Sequence, residues 1–200
     1  MISATSLLES AGIYRLWQAP FAQDKFAPLR AHNNLDEVRR VLDVGCGPGT
    51  NVRHFQNCEY LGIDINPDYV AYARRRSGRQ FLVADATRFT VPAGERFDFI
   101  LLNSFLHHID TENVRKILSH LPRALTSDGY MHIVDLVLPE HHSVPRLLAR
   151  WDRGNFARPL HEWRELFAEA LEVVTFEPFK VRALRLSLWD LVYCKGRAKQ

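Results

Sequence analysis

Short apolar runs recur along the chain at the length of a buried strand. Three of them, at residues 41–44, 59–64 and 80–85, each carry or end in an acid and are separated by longer segments of mixed polarity. Runs of this length bounded by turn residues are typical of strands, and the segments between them suit helices. Strands that alternate with helices predict an α/β fold with a parallel sheet covered on both faces.

Helical periodicity marks three further segments. The first begins at residues 66–68, where asparagine caps the helix and proline takes its first position, and it ends at Gly78. The second carries an apolar i, i+3, i+4, i+7 stripe that starts at Val114, and Pro122 should kink or end it. The same stripe starts again at Trp163. These helices are expected to cover the sheet.

The C-terminal part of the chain follows a different pattern. Apolar runs at residues 171–176 and 186–194 have no helix between them. Adjacent strands without a crossover must pair antiparallel, so the sheet should end in an antiparallel hairpin. No internal repeat or linker divides the chain, and we therefore expect a single domain over residues 1–200.

Three glycines, Gly45, Gly47 and Gly49, follow the first strand. A glycine lets a ligand approach the backbone where a Cβ would collide, and it tolerates positive φ. We expect Thr50 to open a helix whose free N–H groups point back at this loop. The loop by itself is compatible with several nucleotide-type ligands.

Acids at the ends of the strands narrow the range of possible ligands. Asp43 precedes the loop, Asp64 ends the second strand 19 positions after Gly45, and Asp85 ends the third strand 21 positions later. Acids at the carboxyl edge of a parallel sheet line its ligand crevice, and this spacing suits a ribose diol. Carboxylates accept hydrogen bonds from hydroxyl and amino groups and repel phosphate. The acids therefore indicate a nucleoside-type ligand that is not polyanionic.

These motifs together resemble those of class I S-adenosylmethionine (SAM)-dependent methyltransferases. The resemblance covers residues 38–138 in family order and is looser over the last sixty. Its motifs are the glycine motif at 42–49, the second at 62–65, the third at 85–86, the fourth strand at 97–100, its end at 103–109 and the turn at 127–133. The resemblance implies a Rossmann-like, doubly wound, mostly parallel sheet with an antiparallel C-terminal strand.

The resemblance also implies SAM as cofactor. Asp64 would accept from the ribose hydroxyls, Ile65 would lie on the adenine face, and Asp85 would meet the adenine amino group, although Asp85 could instead cap a turn. Asp43 could orient the loop, reach the cofactor's amino group through water, or act as a structural cap. The residues expected to bind the cofactor are Asp43, Gly45, Cys46, Gly47, Gly49, Asp64, Ile65, Asp85, Ala86 and Asn103.

His107 and His108 are the candidate catalytic residues, since they follow the fourth strand where the methyl group should project. A hydroxyl acceptor benefits from a general base, and histidine suits that role near neutral pH. The alternative is a structural role, in which the pair orients the loop backbone beside the cofactor. His141 and His142 lack spaced acidic or cysteine partners, so no metal site is expected.

The flanking regions are expected to bind the methyl acceptor. Residues 1–38 should form a cap over the crevice, and residues 137–160 insert between the fifth strand and the last helix. Both are rich in aromatic residues, which favours a hydrophobic small-molecule acceptor. The arginines of residues 137–160 could instead bind a carboxylate or phosphate of that acceptor.

Composition favours a cytoplasmic protein with no membrane span. Of 200 residues, 46% are hydrophobic and 24% charged, and the net charge is 26 − 23 = +3. No apolar run reaches the ~20 residues of a membrane helix. No Lys or Arg precedes Arg15, so no signal peptide is expected. The three scattered cysteines suit a reducing compartment.

Three competing functions fit parts of the sequence. A dinucleotide oxidoreductase would need a glycine where Thr50 stands. An RNA-directed methyltransferase would use the arginines at 74–76 and Arg79, but these end a helix, and Asn103 is not followed by the Pro-Pro-aromatic element of nucleic-acid methyltransferases. The sequence therefore disfavours a nucleic-acid partner. A non-catalytic SAM-binding protein would keep the same motifs without turnover.

Overall fold

A seven-stranded mixed sheet organises the protein. The computed structural model describes residues 22–92, 94–151, 155–183 and 186–199. The sheet order is β3-β2-β1-β4-β5-β7-β6. The strands are β1 (Arg40–Val44), β2 (Glu59–Asp64), β3 (Gln80–Val83), β4 (Phe97–Asn103), β5 (Leu125–Leu136), β6 (Leu171–Ala183) and β7 (Leu186–Ala198).

Strands β1 to β5 are parallel, as the sequence predicts. Strand β1 pairs with β2 on one side and with β4 on the other, so the chain order reverses at β1. A crevice opens at such a reversal, because the connections on the two sides leave toward opposite faces. The glycine loop after β1 and the histidine loop after β4 both lie at this point.

The antiparallel C-terminal hairpin is confirmed, and it is longer than predicted. Strand β7 inserts between β5 and β6 and pairs antiparallel with both. Burial on both faces explains the apolar run in β7, since the consecutive residues 191–194 are all buried and the strand lies between β5 and β6. The α/β, doubly wound fold with an antiparallel C-terminal strand is therefore correct.

Helices cover both faces of the sheet. They are α1 (Ala22–Lys25), α2 (Ala27–His32), α3 (Pro67–Ser77), α4 (Thr111–His120), α5 (Val144–Trp151) and α6 (Leu160–Ala170), with 3₁₀ turns at Leu35–Glu37, Thr50–His54, Leu106–His108 and Leu121–Ala124. Helix α3 begins at the predicted cap, where the Asn66 side chain accepts from Asp68 N, and it ends at Gly78 with a positive φ of 65°. Helix α4 ends before Pro122, as expected.

The segment that begins at Thr50 differs from the helix predicted there. Residues Thr50–His54 form a short 3₁₀ turn. The Asn51 side chain points inward and donates to Asp43, so it serves the interior of the protein instead of a helix surface. β-Branched Thr50 and Val52 add little helix propensity in so short a segment.

The core has two main parts, one on each face of the sheet. Strand β1 supplies both, because Val41 packs with α3 residues on one face and Leu42 packs with α4 and α6 residues on the other. A strand buried on both faces is apolar throughout, which is why residues 41–44 stand out in the sequence. Phe26, between α1 and α2, and Leu29 of α2 pack on the α3 face. Residues 1–21 of the predicted cap lie outside the described residues.

Candidate functional site

The glycine loop folds back over the end of β2. The N–H groups of Gly45 and Cys46 both donate to the Ile63 carbonyl, at 2.9 and 3.0 Å. Gly49 N donates to Cys46 O at 3.1 Å, which closes the loop into a turn. Cys46 itself is buried, and burial raises the pKa of its thiol, so it belongs to the packed base of the loop.

The three glycines have different surroundings. A Cβ on Gly45 would overlap the Phe105 ring, and a Cβ on Gly49 would lie 3.0 Å from Ala73 Cβ. A Cβ on Gly47 would meet no atom within 4 Å, although its φ of 54° still favours glycine. Gly45 and Gly49 thus allow close packing, whereas Gly47 faces open space. Cofactor contact stays a prediction for all three.

Asp64 joins the glycine loop to helix α3. Its Oδ2 accepts from Gly47 N at 2.8 Å, and its Oδ1 accepts from Asn66 N at 2.9 Å. The carboxylate is thereby held at the rim of the crevice. The neighbouring Ile65 side chain is 70% exposed, so it is not part of the core. An exposed apolar side chain beside a fixed carboxylate is compatible with the predicted contacts to adenosine.

Asp85 caps the turn after β3, which is the structural alternative that the sequence left open. Its Oδ1 accepts from Thr87 N at 2.8 Å and from Thr87 Oγ1 at 2.7 Å, and these hydrogen bonds lower the pKa of Asp85. Ala86 is buried against the core beside it. Contact of Asp85 and Ala86 with adenine stays a prediction.

Asp43 lies buried beneath the loop in a polar network. Burial raises its pKa to about 7, against the opposing effect of hydrogen bonds from Tyr60 and Asn51, and the nearby Asp64 raises it further. Tyr60 OH and Asn51 Nδ2 both donate to its carboxyl group. Asn103 Nδ2 donates to Asn51 Oδ1 at 3.0 Å. The network therefore connects the ends of β1 and β4. Because Asn51 directly follows the glycine loop, these contacts support the loop-orienting role of Asp43 among the three roles considered.

The loop after β4 begins with a turn in the left-handed region. Ser104 has a φ of 54°, and its N–H donates to the Val134 carbonyl at 2.8 Å. Left-handed backbone is uncommon for serine and occurs where the surrounding structure imposes it. The turn directs the following residues, including both candidate histidines, across the end of β5.

His107 is paired with an acid at the end of β5. His107 Nδ1 and Asp135 Oδ1 are 2.6 Å apart, and both side chains are almost fully buried. Asp135 also accepts from the N–H groups of Leu106 and Leu136, each at 2.7 Å. Burial alone would raise the pKa of Asp135, but the His107 imidazole and these N–H groups outweigh it and the pKa is lowered. His108 is exposed, with its ring 4.1 Å from that of His107.

Arg158 holds the same loop from the other side. Its guanidinium donates to the carbonyls of Leu106 at 3.2 Å, Phe156 at 3.0 Å and Ile109 at 2.7 Å. It also lies over the Trp163 ring, 4.9 Å from the centroid. Burial lowers the pKa of this guanidinium. The hydrogen bonds occupy Arg158 with backbone carbonyls, so the alternative in which it binds an acceptor anion is wrong for this residue.

The insertion at residues 137–160 contacts the histidine loop directly. Phe156 N donates to the His107 carbonyl at 3.0 Å, and Leu138 N donates to the Arg158 carbonyl at 2.8 Å. Arg146 also donates to backbone carbonyls, those of Pro139 and Glu140. Arg150 is exposed on α5. The insertion is therefore attached to the loop that carries His107.

Sequence reasoning missed three members of this site: Asn51, Tyr60 and Asp135. Asp135 could have been predicted from the sequence, because it is a lone acid within the apolar end of β5. Tyr60 and Asn51 could not, since a tyrosine in a strand and an asparagine in a turn are ordinary. Of the predicted residues, Asp43, Asp64, Asn103 and the glycines meet at the ends of β1, β2 and β4.

The sequence of this chain is similar to those of known proteins. The methyltransferase domain family matches residues 41–129. A trans-aconitate 2-methyltransferase from Rhodopseudomonas palustris is 26% identical over 189 residues, covering 86% of this chain and 70% of that protein. A fatty-acid O-methyltransferase from Mycolicibacterium smegmatis is 30% identical over 131 residues, 62% of this chain and 44% of that protein. Residues 41–129 thus form a SAM-dependent methyltransferase domain.

Solved methyltransferase structures share its fold. The N-methyltransferase NodS from Bradyrhizobium japonicum, in complex with S-adenosyl-L-homocysteine (SAH), superimposes with a TM-score of 0.68 at 18% identity, covering 90% of this chain and 89% of that chain. A SAM-dependent methyltransferase from Methanosarcina mazei gives a TM-score of 0.68 at 16% identity, covering 87% of this chain and 98% of that chain. These likenesses show that the chain has the class I methyltransferase fold.

The residues present fit SAM. The open space at Gly47 would be filled by a side chain at that position, which is what a site for a ligand approached by backbone requires. Asp64, Asp85 and exposed Ile65 lie along the β2 and β3 side, where they would hold the adenosine part. Within the residues that the structure describes, no cluster of His, Cys, Asp and Glu could hold a metal ion.

The structure also bears on the predictions about a membrane span and a nucleic-acid partner. Helices of residues 22–92, 94–151, 155–183 and 186–199 are all too short or too polar to span a membrane. Two arginines of the basic cluster near α3 are bonded to backbone carbonyls: Arg74 Nε donates to Phe81 O at 2.8 Å, and Arg79 donates to Cys58 O at 2.7 Å. Arg74 thus connects α3 to β3, and Arg79 connects the segment after α3 to the segment before β2.

Proposed function

We propose that this methyltransferase transfers the methyl group of SAM to an oxygen atom of a small, partly apolar organic acceptor, with His107 as the base. The buried His107–Asp135 pair carries the proposal, because it lies after β4 beside the glycine loop of β1. Relatives named as a fatty-acid O-methyltransferase and a malonyl-[acyl-carrier protein] O-methyltransferase support an oxygen acceptor.

SAM supplies a methyl group that is activated by a positively charged sulfur. The protein has to align the acceptor oxygen with that methyl group, exclude water and receive a proton when the acceptor is a hydroxyl. Asp64 and the glycine loop would hold the cofactor. The loop after β4 would present His107 to the acceptor.

Asp135 sets the tautomer of His107. A carboxylate only accepts hydrogen bonds, so the Nδ1 atom of a neutral His107 carries the proton and Nε2 is the basic nitrogen. An imidazolium formed at His107 would be stabilised by the same carboxylate. An acceptor that is itself a carboxylate needs no base, so the dependence of rate on His107 separates hydroxyl from carboxylate acceptors.

Exposed apolar side chains of the insertion support a partly apolar acceptor. The Phe156 N–H donates to the backbone carbonyl of His107, and the Phe156 residue is 41% exposed. Val144 and Leu147 of α5 are also exposed. Exposed Arg150 lies on the same helix. This combination favours an acceptor with an apolar body and an anionic group.

A cytoplasmic location belongs to the proposal as well. Cys46, Cys58 and Cys194 are all buried and unpaired. Unpaired cysteines are usual in proteins of reducing compartments, and we place the enzyme there. We propose no nucleic-acid partner, because Arg74 and Arg79 are occupied by backbone carbonyls.

Transfer of radiolabelled methyl from SAM to a panel of acceptors tests the proposal. The panel contains trans-aconitate, a long-chain fatty acid, a flavonol and a primary amine, each assayed from pH 6 to 9. We expect label in an oxygen acceptor. With a hydroxyl acceptor, His107→Asn should lower kcat by about 100-fold while SAH affinity is kept.

Exposed His108 provides the matched control. His108→Asn should retain kcat to within a few-fold. Transfer to the amine alone would contradict the oxygen acceptor. Full hydroxyl-methylating activity of His107→Asn across the pH range would contradict the base role and leave His107 with the structural one.

A further inference from the structure

A lysine of helix α1 lies over the end of β4. Lys25 Nζ donates to Ser104 Oγ at 3.2 Å, although the two residues are 79 positions apart. The Lys25 residue is only 9% exposed. Lysine is rarely this buried, and a buried ammonium group interacts strongly with a nearby anion because little water screens the two charges.

The contact places Lys25 at the crevice. Ser104 Oγ also donates to Asn103 Oδ1 at 3.3 Å, and Asn103 Nδ2 donates to Asn51 Oδ1 at 3.0 Å. Asn51 follows the glycine loop directly. A continuous series of side-chain contacts therefore runs from α1, across the left-handed turn at Ser104, to the loop after β1.

The charges around the crevice are unevenly distributed. Asp64 and Asp85 stand at the ends of β2 and β3, on the side expected to hold the adenosine part of the cofactor. Lys25 lies on the opposite side, at the end of β4. The cofactor has a matching asymmetry, since its ribose and adenine offer hydrogen-bond donors and its amino-acid end carries an α-carboxylate.

We infer that Lys25 binds the α-carboxylate of the cofactor. The inference rests on the assignment of SAM to the crevice and adds a residue that lies outside the glycine, second and third motifs. A lysine ammonium forms strong charge-assisted hydrogen bonds with a carboxylate, most of all where water is largely excluded. The hydrogen bond to Ser104 Oγ holds the ammonium group at the end of β4, the strand that pairs with β1.

Isothermal titration with two ligands tests this inference. SAH carries the α-carboxylate, whereas 5′-methylthioadenosine has the same adenosine part but lacks the amino-acid end. We expect Lys25→Met to weaken SAH binding about 10- to 100-fold, which corresponds to the loss of one charge-assisted hydrogen bond. Binding of 5′-methylthioadenosine should stay within about two-fold of wild type. Lys25→Arg should restore most of the SAH affinity.

Lys116→Met is the matched control, because Lys116 is a solvent-exposed lysine of α4 that pairs with Glu112. It should leave the affinity for both ligands unchanged. Unchanged SAH affinity in Lys25→Met would overturn the inference, and so would an equal loss of both ligands, which indicates a structural role. Failure of the wild type itself to bind either ligand would instead refute the assignment of SAM to the crevice.

Discussion

The amide nitrogen of Gly47 lies 2.8 Å from Oδ2 of Asp64. The glycine at the open point of the β1 loop is thus held by the acid at the end of β2. The other oxygen of the same carboxylate accepts from Asn66 N, at the start of α3. One side chain therefore positions two backbone segments around the crevice, and this makes Asp64 the most informative residue to change.

Asp64→Ala should weaken SAH binding by about 100-fold or more, since it removes the predicted ribose acceptor and releases the Gly47 N–H. Isothermal titration measures the affinity, and circular dichroism checks that the fold is retained. Asp68→Ala, which changes an exposed acid in the first turn of α3, should bind SAH like the wild type. Wild-type affinity in Asp64→Ala would contradict the assignment of Asp64 to the cofactor site.

Gly45→Ala and Gly47→Ala should separate packing from ligand access. In Gly45→Ala the new methyl group overlaps Phe105, so overpacking and left-handed strain should together cost about 3 kcal/mol. Gly47→Ala has only the strain, about 1 kcal/mol. Its methyl group enters the space expected for the cofactor, and SAH affinity should fall more than tenfold.

Thermal melts and titrations on the two glycine variants give both quantities. A Gly47→Ala protein that binds SAH as tightly as the wild type would show that the open side of the loop does not face the cofactor. A Gly45→Ala protein as stable as the wild type would show that Phe105 moves aside at no cost.

Asp43 should make stability depend on pH. Its folded-state pKa of about 7 lies above the ordinary value of 3.8, so the native state keeps a proton that the unfolded chain releases. The stabilising contribution is therefore complete below about pH 4 and is lost as the pH rises through 7. Asp43→Asn removes this titration. Between pH 4 and 8 the free energy of unfolding of the wild type should therefore fall, relative to that of the variant, by up to about 4 kcal/mol.

Urea denaturation at a series of pH values measures that difference. Asp36→Asn, at an exposed acid, serves as the control and should follow the wild type at each pH. A constant difference between Asp43→Asn and the wild type over the range would show that the Asp43 carboxyl group does not titrate there.

Arg158→Met should destabilise the protein by about 3 to 5 kcal/mol, because it leaves the carbonyls of Leu106, Ile109 and Phe156 without their donor. The melting temperature should fall by roughly 10 °C. Arg150→Met, at an exposed arginine of α5, should change stability by less than about 0.5 kcal/mol. Equal melting temperatures for the two variants would mean that Arg158 does not hold the loop.

Predictions from the sequence succeeded where the signal is local. The cap at Asn66, the end of α3 at Gly78 and the hairpin of β6 and β7 each depend on residues close together in the chain. The helix expected from Thr50 failed, because Asn51 bonds to Asp43 in the interior and this contact outweighs local propensity.

Side-chain partners were beyond the sequence. His107 and Asp135 are 28 positions apart, and their pairing depends on the parallel register of β4 and β5 and on the turn at Ser104. Arg158 reached backbone carbonyls instead of an acceptor, because the insertion folds back onto the histidine loop. Neither the register nor the path of the insertion is encoded in a short pattern.

The sequence by itself determined the order of strands and helices, the glycine loop and the acids at the strand ends, since period, turn residues and spacing act over a few positions. Tertiary structure decided which groups became partners. It gave Gly45 and Gly49 packing neighbours, left Gly47 open, buried Asp43, and brought Lys25 to Ser104. The physical reason is that burial and long-range hydrogen bonds are properties of the packed chain and arise only when distant segments meet.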